Sequence, residues 1–258
     1  KPAFFGVKPA LIVKGGATGA GAKAAASHTG SMASDDRIID GVLAQAGAVR
    51  AIGVEAAFDA AATLASQPPA SGGNVVVVTT VGGWGVVAAD AIARSRHLRL
   101  DPLPGDLVAA IDHLLPPRWS RNNPIDMAGG ETRDTVPEVL RLVASHPATD
   151  AVLFLGLGIQ SNQAALMRSG GFYPDFGLER IVDYHERQDD RYGRAAAEVS
   201  EATGKPILCA TELAVTHSNN AAPAAVAATG RYCAASAERA VAALDASLSG
   251  WAGTEVRQ

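Results

Sequence analysis

The chain has 258 residues, 48% of them hydrophobic and 19% charged, with a formal net charge of −4. That length admits one large or two ordinary globular domains. The mild negative charge and the lack of a basic run interleaved with aromatics leave nucleic-acid binding without support. No apolar segment reaches the length of a membrane span, and the N-terminus lacks the order of a signal peptide.

In chain order, Ala10–Val13 reads as a strand and is followed by a Gly/Ala-rich run from Gly15 to Ala26. Ser27-His28-Thr29-Gly30-Ser31 comes next and reads as a loop. Ser34 or Asp35 is the expected N-cap of a helix over Asp36–Ala46. A strand at Val49–Ile52 and a helix at Val54–Leu64 complete the first segment, residues 1–66. Proline and glycine cluster in Gln67-Pro68-Pro69-Ala70-Ser71-Gly72-Gly73, which reads as a linker over 67–73.

The second segment, 74–250, starts with Asn74-Val75-Val76-Val77-Val78-Thr79-Thr80. A continuous β-branched run of this kind suggests a strand buried on both faces of a parallel sheet. A helix is expected over Val86–Arg96, a short strand at Leu98–Leu100 and a helix at Asp106–Leu115. Asn122–Asp126 is loop-like, and a helix follows within Val136–Ser145. Strands at Ala151–Leu155, Pro206–Ala210 and Arg231–Cys233 alternate with helices at Glu198–Thr203, Ala221–Ala228 and Ala237–Leu248. This alternation predicts a doubly wound α/β domain, with ligands at the carboxyl ends of its strands. Cys209 and Cys233 lie in strand-like runs and read as small core residues. There is no metal-ligand spacing, and a reducing cytoplasm is the expected compartment.

Three stretches could carry chemistry. His28, between small polar residues, reads as an accessible nucleophile or as a surface residue of a solvated loop. A free imidazole titrates near pH ~6.5, so an attacking nitrogen is available at neutral pH. Just before a helix start, unpaired backbone N–H groups would favour a phosphorylated imidazole. Thr80-Val81-Gly82-Gly83-Trp84-Gly85 reads either as an anion site at a helix N-terminus or as a tight turn without a ligand. It has no Walker lysine and lacks the dinucleotide spacing. Asn123 and Asp126 offer an amide and a carboxylate on a rigid turn, or belong to an ordinary proline turn. The mixed-charge stretch of Arg187, Asp189, Asp190, Arg191 and Arg194 reads as a solvated helix face. His217, at a turn and helix start, is a weaker candidate, and His97, His113, His146 and His185 have no supporting neighbours.

These blocks, taken in order, resemble the NDP-forming acyl-CoA synthetases, the superfamily that includes succinyl-CoA synthetase. The resemblance rests on Lys8–Gly16, on Gly21–Ser31 with its Ser-His-Thr-Gly core, on Thr80–Asp90, on Asn123-Pro124-Ile125-Asp126 and on Ser236–Ala240. It implies the C-terminal part of a histidine domain over 1–66, followed by a flavodoxin-like, doubly wound parallel-sheet ligase domain over 74–250. It also implies that His28 carries a phosphoryl group. Ser27, Thr29, Gly30, Gly82, Gly83 and Gly85 would then bind phosphate, and Asn123 and Asp126 would line the site. Such an enzyme uses CoA, ATP/ADP or GTP/GDP, and Mg. A CoA-binding domain and an ATP-grasp domain or subunit are its expected partners, with a small carboxylic acid as substrate and an oligomeric assembly. The chain reads as a fragment that binds no cofactor by itself and does not complete the reaction alone. Trp84 departs from the family's small residue or proline, and Ser34 from a common glycine. The alternative implied by the resemblance is a non-catalytic ligand-binding or regulatory module, such as one fused to a protein acetyltransferase.

Overall fold

A computed structural model of the chain describes residues 8–29, 35–130 and 132–255. The first unit comprises β1 (Ala10–Val13), α1 (Gly19–Thr29), α2 (Asp36–Ala46), β2 (Ala48–Ala51) and α3 (Val54–Ser66). β1 and β2 pair in parallel, Ala10 opposite Ala48 and Val13 opposite Ala51. Asp35 caps α2 by accepting a 2.9 Å hydrogen bond from Arg37 N, and Gly47 ends the helix at φ 70. Ser34, the other expected cap, lies outside the described residues. Asp36 ties α2 to both strands' ends, accepting from Arg50 at 2.8 and 2.9 Å and from Lys14 at 3.0 Å. These bonds, Arg50's first, hold its carboxyl down to about 2.

One expectation fails here. The segment carrying His28 is helical, not a loop. Alanine is the best helix former, and Ala22 and Ala24–Ala26 supply the run. Thr18 caps it, accepting from Gly21 N at 3.1 Å. The two glycines of α1 sit in its first turn, where they interrupt it least.

The second unit contains β3 (Val75–Thr79), α4 (Gly82–Arg94), α5 (Gly105–Asp112), β4 (Ile125–Asp126), α6 (Thr135–Ser145) and β5 (Ala151–Leu155). It continues with α7 (Ile159–Arg168), α8 (Leu178–Thr203), β6 (Ile207–Ala210), α9 (Leu213–Thr216), α10 (Ala221–Ala227), β7 (Cys233–Ala234) and α11 (Ala237–Glu255). The five strands are parallel, in the order β4-β3-β5-β6-β7. Numbered within this sheet, that is the flavodoxin order 2-1-3-4-5. Alternate strand residues feed opposite faces. Val76, Val78, Val152 and Phe154 pack with Ile111, Leu140 and Val226, while Val75, Val77, Leu153 and Leu155 pack with Ile92, Val241 and Leu244. The expected strand at Leu98–Leu100 reduces to a single bridge between Asn74 and Arg99. Its place at the sheet margin offers too few backbone partners for a ladder.

The units are stapled together. α11 packs against both α3 and α4. Asp59 of α3 is buried and accepts from Arg239 at 2.6 and 2.8 Å and from the Tyr232 hydroxyl. The linker is pinned as well. The Gln67 amide donates to Ile207 O at 2.9 Å and accepts from Ile207 N at 3.2 Å, continuing the backbone pairing of β6.

Candidate functional site

In a sheet of this order the strand sequence reverses between β3 and β5, and the loops leaving them diverge to open a crevice. Residues 80–82 and 156–159 flank that point. The loops touch at Thr80, whose N–H donates to Leu155 O at 3.3 Å and whose hydroxyl donates to Gly156 O at 3.4 Å. Gly156 and Gly158 adopt φ 98 and 91, which only glycine takes without strain.

α4 begins at Gly82, four residues before the expected start, so the glycines form its first turn. Thr79 shapes the entry, its hydroxyl accepting from Val81 N at 2.9 Å and donating to Val81 O at 2.8 Å. No side chain caps the helix. Trp84 N and Gly85 N both donate to Val81 O. The N–H groups of Gly82 and Gly83 have no hydrogen-bond partner among the described residues. The three glycines differ in role. A Cβ at Gly83 would meet nothing within 4 Å. At Gly85 it would press on Thr79 Cγ2 at 3.1 Å and Pro124 Cβ at 3.2 Å, and at Gly82 it would overlap the Asp126 carboxylate. Trp84 turns to the apolar layer of Ala88, Ile92 and Val241.

Asp126 therefore stands beside the opening of α4. Its Oδ1 accepts from Ala128 N at 2.9 Å. Asn123, expected to line the site, is instead structural. It is 6% exposed, accepts from Val77 N at 3.0 Å, and donates to Val75 O at 2.8 Å and Asp101 O at 3.1 Å. Its oxygen and one amide hydrogen extend the edge of β3 where β4 is too short to reach, and its other amide hydrogen holds Asp101 O.

His28 is exposed in the last turn of α1. The Ser27 hydroxyl donates back to Ala24 O at 2.7 Å, within its own helix. Thr29 closes the helix, and Gly30 lies outside the described residues. No hydrogen bond or ion pair joins His28 to Gly82, Gly83 or Gly85 among the described residues. His28 was expected in a loop just before a helix start and lies instead in the last turn of α1. The helix it sits in presents its carbonyl end, which favours a cation.

The second wall was not foreseen. Asp189, expected on a solvated face, is fully buried. It accepts from Gly158 N and Ser161 N at 2.9 Å each and from the Ser161 hydroxyl. Burial raises its pKa, opposed by these three hydrogen bonds. Asn220 donates to Gly158 O at 2.9 Å while capping α10. The available signal was Gly156-Leu157-Gly158, a second glycine turn directly after a buried strand. His217, at the C-terminal end of α9, is exposed, and its backbone donates to Leu213 O at 2.8 Å and accepts from Asn220 N at 2.9 Å.

A flavodoxin-ordered sheet with an uncapped glycine helix start at its switch point defines a doubly wound parallel α/β protein. A model of the succinyl-CoA ligase like flavodoxin domain matches residues 4–64, and one of the ligase-CoA domain matches 75–160. The chain belongs to the NDP-forming acyl-CoA synthetase superfamily, with succinyl-CoA synthetase. It is 36% identical over 146 residues to a 4-hydroxybutyrate–CoA ligase (ADP-forming) of Nitrosopumilus maritimus, covering 57% of this chain and 21% of that protein. It is 31% identical over 201 residues to the acetate–CoA ligase (ADP-forming) II subunit alpha of Pyrococcus furiosus, covering 78% and 39%. A solved dinucleotide forming acetyl-coenzyme A synthetase 1 of Ca. Korarchaeum cryptofilum, in complex with phosphate and ADP, superposes with a TM-score of 0.74 at 25% identity. That match covers 96% of this chain and 48% of the other. The chain thus spans well under half the length of these two curated relatives. Among the described residues no helix is long and apolar enough to cross a membrane.

Proposed function

We propose that the chain is the phosphohistidine and ligase part of an NDP-forming acyl-CoA synthetase. The reaction takes acyl-CoA, phosphate and a nucleoside diphosphate to a carboxylic acid, CoA and the triphosphate. Phosphate attacks the thioester and CoA leaves as its thiol, giving an acyl phosphate. A neutral ring nitrogen of His28 takes the phosphoryl group and releases the carboxylate. The nucleoside diphosphate then removes the phosphoryl group from the histidine. CoA-binding and ATP-grasp modules, on this polypeptide or a partner, supply the other two substrates.

The observation that carries this reading is the pair of unclaimed amides, Gly82 N–H and Gly83 N–H, at the switch point. A helix N-terminus favours an adjacent anion by about 0.3–1 kcal/mol, and by up to about 2 when partly buried. Phosphoryl transfer relies on such positioning and charge stabilisation more than on covalent help from the protein. α1 contributes no such help, because His28 lies at its carbonyl end. The phosphoryl group therefore needs α4's amides, or cations from the remaining modules, during transfer.

Magnesium fits this arrangement only as a phosphate-borne ion. No group of three metal-ligating side chains occurs among the described residues. Mg²⁺ commonly takes one or two carboxylates together with substrate phosphates and waters. Asp126, beside Gly82, would be the carboxylate. The ion's chemistry there would be neutralisation of charge on the transferring phosphoryl group.

The test is labelling of the full enzyme with acyl-CoA and radioactive phosphate. Wild type should form an acid-labile, base-stable phosphoprotein, and His28→Asn should not. A His28→Asn protein that labels and turns over normally refutes the assignment.

A further inference from the structure

Two helices begin at the crevice, each with a carboxylate nearby, and only at α7 does the carboxylate bond the helix's amides. α4 has no side-chain cap, and Gly82 and Gly83 keep their N–H groups unclaimed among the described residues. α7 is already served. Asp189, reaching across from α8, takes Gly158 N–H on Oδ1 and both donors of Ser161 on Oδ2. One turn earlier on α8, His185 Nδ1 meets Gln160 Oε1, so α8 grips the first turn of α7 at two points. Gly158 itself cannot shift, because Asn220 holds its carbonyl. A Cβ there would also strike Asn220 Oδ1 at 2.5 Å and Thr211 Oγ1 at 2.9 Å.

A carboxylate that accepts two backbone amides at a helix start does what a bound phosphate would do there. A second anion arriving at α7 would find the Gly158 and Ser161 donors taken by the carboxylate bonded to them, whereas Asp126, beside Gly82, leaves the two α4 amides free. We propose that Asp189 is a positioning residue, an internal anion that fills the α7 end of the crevice and restricts it to one phosphoryl group, held on the α4 side. The proposal rests on the reading of α4 as the phosphate end. Asp189 does not touch that phosphate. It decides, through α7, which of two similar helix starts remains open.

The experiment is amide NMR of the chain titrated with inorganic phosphate, combined with thermal melts of Asp189→Ala in formate or chloride at equal ionic strength. In wild type, phosphate should move the Gly82 and Gly83 resonances and leave Gly158 and Ser161 in place. Asp189→Ala should melt lower. Formate should raise its Tm by about 5 °C over chloride, as expected for a ligand near ~100 times its Kd, and move Gly158 and Ser161. In wild type, formate should leave Gly158 and Ser161 in place, because Asp189 already occupies both. If Asp189→Ala does not fold, Asp189→Asn keeps the volume but loses one acceptor. Phosphate should then move the released amide of Gly158 or Ser161.

Phosphate shifts at Gly158 and Ser161 in wild type overturn the proposal. So do a formate-blind Asp189→Ala and an Asp189→Asn that responds to phosphate as wild type does. Phosphate shifts absent at Gly82 and Gly83, with formate rescue intact, overturn instead the α4 reading and the one-phosphoryl claim built on it.

Discussion

Replacing Asp59 by alanine removes the carboxylate that joins α3 of the first unit to Tyr232 and Arg239 of the second. Asp59 is 3% exposed, and its two bonds to Arg239 are charge-assisted, at 2.6 and 2.8 Å. Hydrogen bonds to charged groups contribute about 1.5–3 kcal/mol each. Arg239 keeps 38% of its side-chain exposure and regains water once released, which offsets part of the loss. A net cost of about 2–3 kcal/mol follows, or a fall in Tm of about 4–12 °C for a chain of this size. Urea denaturation of Asp59→Ala, Arg239→Ala and the double variant closes a cycle, in which a coupling of about 1–2 kcal/mol is expected. The pH dependence has a definite sign. Burial raises the Asp59 pKa, but bonds from Arg239 and Tyr232 outweigh it and leave the value lowered. The staple thus stabilises fully above the unfolded carboxyl value, about 3.9, and is lost as pH falls through the folded value. In Asp59→Ala that acid-limb loss should shrink. A coupling energy near zero, with an unchanged acid limb, would refute the view that this network locks the units.

Gly83→Ala should leave the melting temperature unchanged or raise it slightly, since the new methyl meets nothing and alanine favours a helix by about 0.5–1 kcal/mol, yet it should weaken phosphate binding in an NMR titration. Gly85→Ala should do the opposite in stability, losing about 1–3 kcal/mol through pressure on Thr79 and Pro124, as read by urea denaturation. Asn123→Ala strands Val77 N–H and Val75 O in the sheet and should cost about 3 kcal/mol or more, again by urea. Ultraviolet titration should find one of the four tyrosines ionising near 12, because burial and Asp59 push Tyr232 up to about 12. Stability tied to that neutral phenol is present below the unfolded value of about 10 and is lost as pH rises from there through 12.

The elements most legible in the sequence were those whose pattern is local. α2 carries its own stop and start, Asp35 before and Gly47 after, and its expected span agrees with the structure residue for residue. β3 and β5 declare double burial through unbroken apolar runs, and all ten of their residues are buried. His28 shows where local reading misled. Small residues and glycines around it suggested a loop, whereas the alanine run had enough helix propensity to carry α1 through Thr29. Asp189 was illegible for a different reason. Its charged neighbours Arg187, Asp190, Arg191 and Arg194 are the marks of a solvated face, and only α7, packed across from α8, turns position 189 inward. Asn123 likewise looked available because a sequence shows a polar side chain without showing which backbone groups will claim it.

Polarity links the two halves of the proposed site. His28 stands at the carbonyl end of α1, and Gly82 stands at the amide end of α4. A neutral or protonated imidazole is comfortable where it is, but a phosphorylated one is not, because the end of its own helix repels the added charge. The cost of holding the phosphoryl group on His28 alone makes its transfer onward easier, provided an amide end or a cation receives it at the crossing. α4 offers that end, and Asp189 has closed the competing one on α7. Because α3, α11 and the Gln67 linker hold the two units against each other, a rigid-body swing of one unit is the more expensive way to bring histidine and crevice together. The cheaper route bends the connection between α1 and β1 at Gly15, where even an added Cβ would meet nothing within 4 Å. Proline at Gly15 should therefore slow phosphoryl transfer while leaving phosphate binding at Gly82 and Gly83 intact, and equal loss of both would show that the crossing does not depend on α1.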